Sequence, residues 1–451
     1  MSTKKTPKIH TYPNGLRLVY EPHPANIPQT HIRAFCHVGS IHEPENIHGA
    51  SHFIEHMCFK GSRTFPSWSA VNEPFSQSGA NFNATTTKQY TCYIIDCLDP
   101  HVHQFLRILG DMMLRSKFNR EEYKLELNVV REEMKMRSPD SFVETMAFSG
   151  SAYANWVDHS SYHKPGCLPY SAVVDYYHQY YVPQNIVVSV VSSISFDSIV
   201  RTVSSTPFGE QLPRPARVLP IMNSTLGALE THCESNYMFQ PSEANTTRIE
   251  IGVRVCDQFK NDEFHALNVL RHVVSASMSS RLFVELREKR GLTYRSGAYM
   301  NLYETAGVFV LYAISDSERL VKDGKSSHPG TIPVMFGILD DLIKNGVKDA
   351  ELKRAKQNIR DSLKMDDIAG GDKSAYNGVR VLLHNDSDIL PNREIYDNCY
   401  KKITKSNVND MITKYFASKK YYFSVIGGKL PKSSVLTDFL TLPVKSMVIN
   451  K

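Results

Sequence analysis

The stretch Gly49-Ala50-Ser51-His52-Phe53-Ile54-Glu55-His56-Met57-Cys58-Phe59-Lys60-Gly61 carries more information than any other in the chain. Ile47, Ala50, Phe53, Ile54 and Met57 recur at helical spacing, which predicts an amphipathic helix over residues 46–60. On a helix, residues i and i+4 share one face, one turn apart. His52 and His56 can therefore grip one zinc ion through imidazole nitrogens at ~2.0–2.1 Å. Glu55 neighbours His52 at i+3, so its carboxylate can reach a water at the same place. The order H-x-x-E-H is the inverse of the thermolysin order H-E-x-x-H.

Strands flank this helix in the sequence. Residues 16–20 follow a Pro13-Asn14-Gly15 turn, residues 31–38 alternate polar and apolar, and 80–86 with 89–96 read as a pair. Helices are expected at 101–115, 120–137 and 171–181, then a strand at 186–191. Prolines 207, 213, 215 and 220 then interrupt a stretch of little periodicity. The pattern restarts beyond it. Strands are expected at 248–255, 294–302, 308–314 and 421–426. Helices are expected at 261–274, 279–289, 333–344, 349–364 and 406–416. Both halves close on a helix and a strand, which suggests an internal repeat. The expected fold is α+β: two structurally similar α/β-layer domains, each a mixed sheet packed on helices. The boundaries are 8–205 for a catalytic zinc-binding domain, 206–230 for a linker and 231–451 for a homologous domain without metal.

A catalytic zinc takes three protein ligands and keeps one position open. The helix at 120–137 offers Glu126 and Glu133, two turns apart on one stripe with Val130 between them. Either could bind the ion while the other orients a ligand. Glu132, rotated by about 100°, competes.

Taken together, residues 49–62 resemble the signature of the pitrilysin/insulinase family of inverzincin peptidases. Asn14-Gly15, Val38-Gly39-Ser40 and Asp175 through Asn185 fit the same family, so the resemblance spans nearly the whole chain. It implies that Glu133 is the third ligand and Glu126 its supporting acid, since Glu126–Glu133 matches the family's E-x6-E pair. It implies that Gly79 to Ala84, with Asn83 and Ala84, is a substrate-binding edge strand. In the second half it implies that Arg287 and Tyr294 lie near the scissile bond, where a cation and a phenol stabilise an oxyanion. Ser275-Ala276-Ser277 departs from the family's glycines, and the second half has no H-x-x-E-H. The chain is similar in length to the short members, which are bacterial-type or like the processing-peptidase β subunit and pair as dimers.

The expected activity is zinc-dependent endoproteolysis of unfolded peptides or presequences. The chamber would be a homodimer, or a heterodimer with a related noncatalytic subunit. The competing readings are a catalytic subunit that needs a separate α-like partner, and a noncatalytic scaffold. Asp140 and Glu144 are candidates for reading a substrate arginine. A net charge of +6 over 451 residues is too mild for a nucleic-acid footprint. No apolar run reaches the ~20 residues of a membrane span. Eight cysteines without C-x-x-C spacing point to a reducing compartment. The expectation is a soluble cytoplasmic protein, or one of the mitochondrial matrix if a presequence has been removed. His101, His103, His159, His163, His265, His272, Cys58, Cys92 and Cys97 are expected to pack or face solvent rather than bind metal.

Overall fold

The computed structural model describes residues 7–23, 27–136, 141–154, 168–210, 236–259, 261–323, 328–366, 370–384 and 389–440. Asp140, His159, His163 and residues 211–230 of the expected linker lie outside them. The strands are β1 (Lys8–Thr11), β2 (Arg17–Pro22), β3 (Gln29–Cys36), β4 (Asn81–Thr86), β5 (Thr91–Leu98) and β6 (Ile186–Ser192). They continue as β7 (Tyr237–Pro241), β8 (Thr246–Val255), β9 (Thr293–Leu302), β10 (Gly307–Asp316) and β11 (Tyr422–Gly427). The helices begin with α1 (Ala50–Cys58), α2 (Trp68–Ser78), α3 (Val102–Leu114), α4 (Arg120–Met136) and α5 (Phe142–Ala147). After these come α6 (Tyr170–Tyr180), α7 (Phe196–Ser204), α8 (Asn261–Ser275), α9 (Thr331–Asn345), α10 (Asp349–Asp366) and α11 (Gly370–His384).

The chain forms two compact units, each with its own sheet. The first sheet runs β1-β2-β6-β3-β5-β4 and the second β7-β11-β8-β10-β9. The pairings correspond. β2 and β6 are parallel, as are β7 and β11, and the remaining shared ladders are antiparallel. This is the repeated mixed-sheet α+β architecture expected from the order of elements; among the described residues, β1 has no counterpart in the second sheet.

Neither unit is a single run of sequence. Residues 141–154 belong to the second and 365–392 to the first. The exchanged helices each cover a sheet. In the first unit, strand alternation sends Leu18, Ile32, Ala34, Tyr93, Ile95 and Val188 into a core with α1 and α3. Val19, Phe35, Cys92 and Val187 point the other way and meet Val381 and Leu382 of α11. Gly378 permits that approach, because a Cβ there would lie 2.1 Å from Phe35 Cε2. Lys373 and Asn377 of α11 donate to the buried Glu21 carboxylate at 2.8 and 2.9 Å, so its charge is paired rather than stranded. In the second unit α5 packs on β8. Ser141 Oγ donates to Glu250 at 2.8 Å.

Two expected helices differ. The one over 46–60 starts only at Ala50, because Gly49 takes a left-handed φ of 93° and a 3-10 turn at Glu45–Ile47 precedes it. The one over 279–289 contains a wider π-helical turn, Phe283–Glu288.

Candidate metal centre

Helix α1 is buried along its whole length except at His56. Its start is held by a residue that periodicity does not reveal. The carboxylate of Glu43 accepts from the backbone N–H of Gly49 at 2.7 Å and of Ser51 at 2.8 Å. A carboxylate there satisfies two donors that a helix start leaves open and complements the positive end of its dipole. Replacing Glu43 by Ala is expected to cost about 1–2 kcal/mol of stability. Urea unfolding of the purified chain reads this, and Glu43→Gln should recover part of the loss.

His52 and His56 project from one face, with Nε2 atoms 3.2 Å apart. Helix α4 supplies the third group. Asn119 caps α4 by accepting from the Glu121 N–H at 2.8 Å, and Phe53 meets Tyr123 ring to ring at 4.6 Å. This contact lays the stripe Glu126, Val130, Glu133 along α1. Val130 is fully buried and fixes the rotation of α4. Glu133 Oε2 then stands 3.3 Å from His56 Nε2 and 4.0 Å from His52 Nε2. Glu132 is exposed on another face. Among the described residues, His52, His56 and Glu133 are the one group of three whose donor atoms all converge within 4.8 Å.

These donors fit zinc. Two ligands at ~2.0–2.1 Å on a tetrahedral ion stand about 3.3 Å apart, and two of the three observed separations are 3.2 and 3.3 Å. Two imidazoles and a carboxylate are also a donor set zinc favours. His56 Nδ1–H donates to Glu126 Oε1 at 2.8 Å, which turns Nε2 toward His52 and Glu133. Lys60 pairs with the other Glu126 oxygen. Burial alone would lower the His56 pKa, but the Glu126 hydrogen bond and the carboxylates of Glu55, Glu126 and Glu133 raise it overall. For Glu126, burial pushes upward, and the bonds from His56 and Lys60 outweigh it. Both shifts favour the charged pair.

Glu55 is buried beside this group and accepts from Thr86 Oγ1 at 2.5 Å. Thr86 ends β4, which lies at the edge of its sheet. Asn83 is exposed on that strand and Ala84 is half-buried against the core. Arg287 and Tyr294 belong to the second unit. The Arg287 guanidinium lies over the Tyr294 ring at 4.6 Å, and Tyr294 is 85% exposed.

The other candidates have structural surroundings. Glu144 is buried and accepts from Asn301 and from Tyr303 OH at 3.0 Å, so it is not the exposed acid an arginine reader requires. His272 is pushed down to about 4 by burial and by Arg271, and His265 packs edge-on against Tyr400. Burial pushes the Cys58, Cys92 and Cys97 thiols up to about 12. Cys36, Cys58, Cys92, Cys97 and Cys256 are free thiols. Glu43, Lys60 and Thr86 are the neighbours that sequence reading missed. A carboxylate seven residues before a helix start is the only local signal among them.

Two family models match the chain: insulinase (peptidase family M16) over residues 19–155, and peptidase M16 inactive domain over residues 168–359. An uncharacterized zinc protease of Bacillus subtilis is 30% identical over 385 residues, covering 83% of this chain and 88% of its own. Another, from Mycobacterium tuberculosis, is 26% identical over 440 residues, 95% of each chain. Among solved structures, a protease from Helicobacter pylori superposes with a TM-score of 0.78 at 17% identity, covering 94% of this chain and 99% of that one. The first half of the periplasmic protease PqqL from Escherichia coli gives 0.74 at 16% identity, covering all of both chains. At such identities these two likenesses concern the fold alone.

Proposed function

Because the chain belongs to the insulinase family of M16 peptidases, we propose that it is a zinc-dependent metalloendopeptidase acting on extended peptides. The convergence of His52, His56 and Glu133 beside Glu55 carries this reading. His52, His56 and Glu133 would hold the zinc. When bound, zinc supplies Lewis-acid polarisation of a peptide carbonyl and acidification of water. Glu55 takes a proton from the attacking water and delivers it to the leaving amine. Glu126 keeps His56 turned inward, and Lys60 keeps Glu126 in place.

The outer side of β4 suits an extended substrate. Among the described residues it has no strand partner, so a peptide can add there through backbone hydrogen bonds near Asn83 and Ala84. Such binding selects unfolded chains and presequence-like segments over folded proteins. No helix among the described residues is long and apolar enough to cross a membrane.

The site is read as incomplete in one chain. Among the described residues, the candidate metal group occurs in one of the two similar units. The reading therefore has two copies, or this chain and a related noncatalytic one, enclosing the substrate. Arg287 and Tyr294 would then donate to the oxyanion at the partner's metal. Mixing Glu55→Gln chains with Arg287→Ala chains tests this. Turnover recovered well above either variant alone is expected. A mixture as inactive as its components argues for a self-contained site.

A further inference from the structure

Thr86 touches both the peptide-docking strand and the proton-carrying carboxylate. We propose that it is a positioning residue which fixes the orientation of Glu55 and ties that orientation to β4. The inference rests on the reading of Glu55 as proton carrier.

Side chains alternate along β4. Asn81, Asn83 and Thr85 are exposed, whereas Phe82, Ala84 and Thr86 are half-buried. Phe82 and Ala84 pack against the core to which α1 belongs, so Thr86 faces that helix by the same alternation. Its hydroxyl has one proton. Thr91 Oγ1, 3.4 Å away, commits its own proton to the Val38 carbonyl at 2.9 Å. The Thr86 proton goes to Glu55 Oε2 at 2.5 Å. An ionised carboxylate only accepts, and a bond to it is stronger than one between neutral groups. With Oε2 held by this bond, the torsions of Glu55 are restrained and the direction in which its carboxylate meets a proton is set.

Thr86 is paired with Thr91 of β5 in the sheet register, so the hydroxyl sits on a braced position rather than a loop. A peptide added to the outer side of β4 would stiffen the same strand. Docking thereby orders the carboxylate that performs the proton transfer.

Thr86→Val removes the hydroxyl at nearly constant shape, and Thr86→Ser retains it. The measurement is steady-state cleavage of a quenched fluorescent peptide by the full chain, together with zinc per chain and unfolding midpoint. The valine variant is expected to lose about 10- to 100-fold in kcat, the range of a hydrogen bond to a charged group. KM, zinc content and midpoint should hold, and the serine variant should stay within about threefold of wild type in kcat, as conservation of the bond implies. If valine lowers the midpoint, Thr86→Ala provides the same deletion without the extra methyl. Wild-type kcat in the valine variant would overturn the proposal. A loss confined to KM, or one that serine does not repair, would also overturn it. Glu55→Gln is run alongside as the control: if it still turns over, the base assignment itself fails, and the Thr86 inference with it.

Discussion

Glu55→Gln is expected to lower peptide turnover by about 10²- to 10⁴-fold, the usual share of a general base, while zinc stays near one per chain. The amide is close in shape to the carboxylate and can still accept from Thr86, so packing around α1 should hold. It cannot take up a proton from water at neutral pH. The proposed metal group would use the Nε2 atoms of His52 and His56 and a carboxylate oxygen of Glu133, none of which belongs to residue 55. Turnover and zinc content should therefore separate. A variant that loses both would show that Glu55 supports the site structurally. A variant that loses neither would remove it from the mechanism.

The second large effect distinguishes two adjacent glutamates. Glu133→Ala removes one of three donors and should reduce zinc retention by more than the ~10- to 100-fold that loss of a supporting residue costs. Turnover should fall in parallel. Glu132→Ala deletes an exposed carboxylate on another face of α4 and should leave zinc binding near wild type. Competition against a chelator of known affinity measures both variants on one scale. The reverse ranking would require α4 to be rotated by about 100°, which the burial of Glu126 and Val130 opposes.

The difference between these residues shows what sequence could and could not convey. His52, Glu55 and His56 lie within one and a half turns, so helical geometry alone puts them together. Glu126, Glu132 and Glu133 are all close enough on α4 to be ligands, and the sequence does not state which face meets α1. Phe53 against Tyr123 and the burial of Val130 make that choice. Thr86 reaches Glu55 across 31 residues, and its hydroxyl looks like that of any strand threonine. Lys60 carries no mark of its bond to Glu126.

The fold divides in the same way. Alternation and helical spacing revealed most central strands and long helices. Helix α11 was missed, because Gly370, Gly371 and Gly378 lower helix propensity. They are there because α11 lies close on His31, Arg33 and Phe35, more than 300 residues earlier. Short α5 was missed as well. Its six residues show too little periodicity, and its partners are on the second sheet. These two exchanged segments are why neither compact unit is a continuous run.

Elemental analysis of the purified full chain, after dialysis against metal-free buffer, tests the central claim most directly. One zinc per chain is predicted for the wild type, with almost none retained when His52 and His56 are both replaced by Ala. A wild-type chain that takes up no zinc, or a double variant that keeps a full equivalent, would contradict the account.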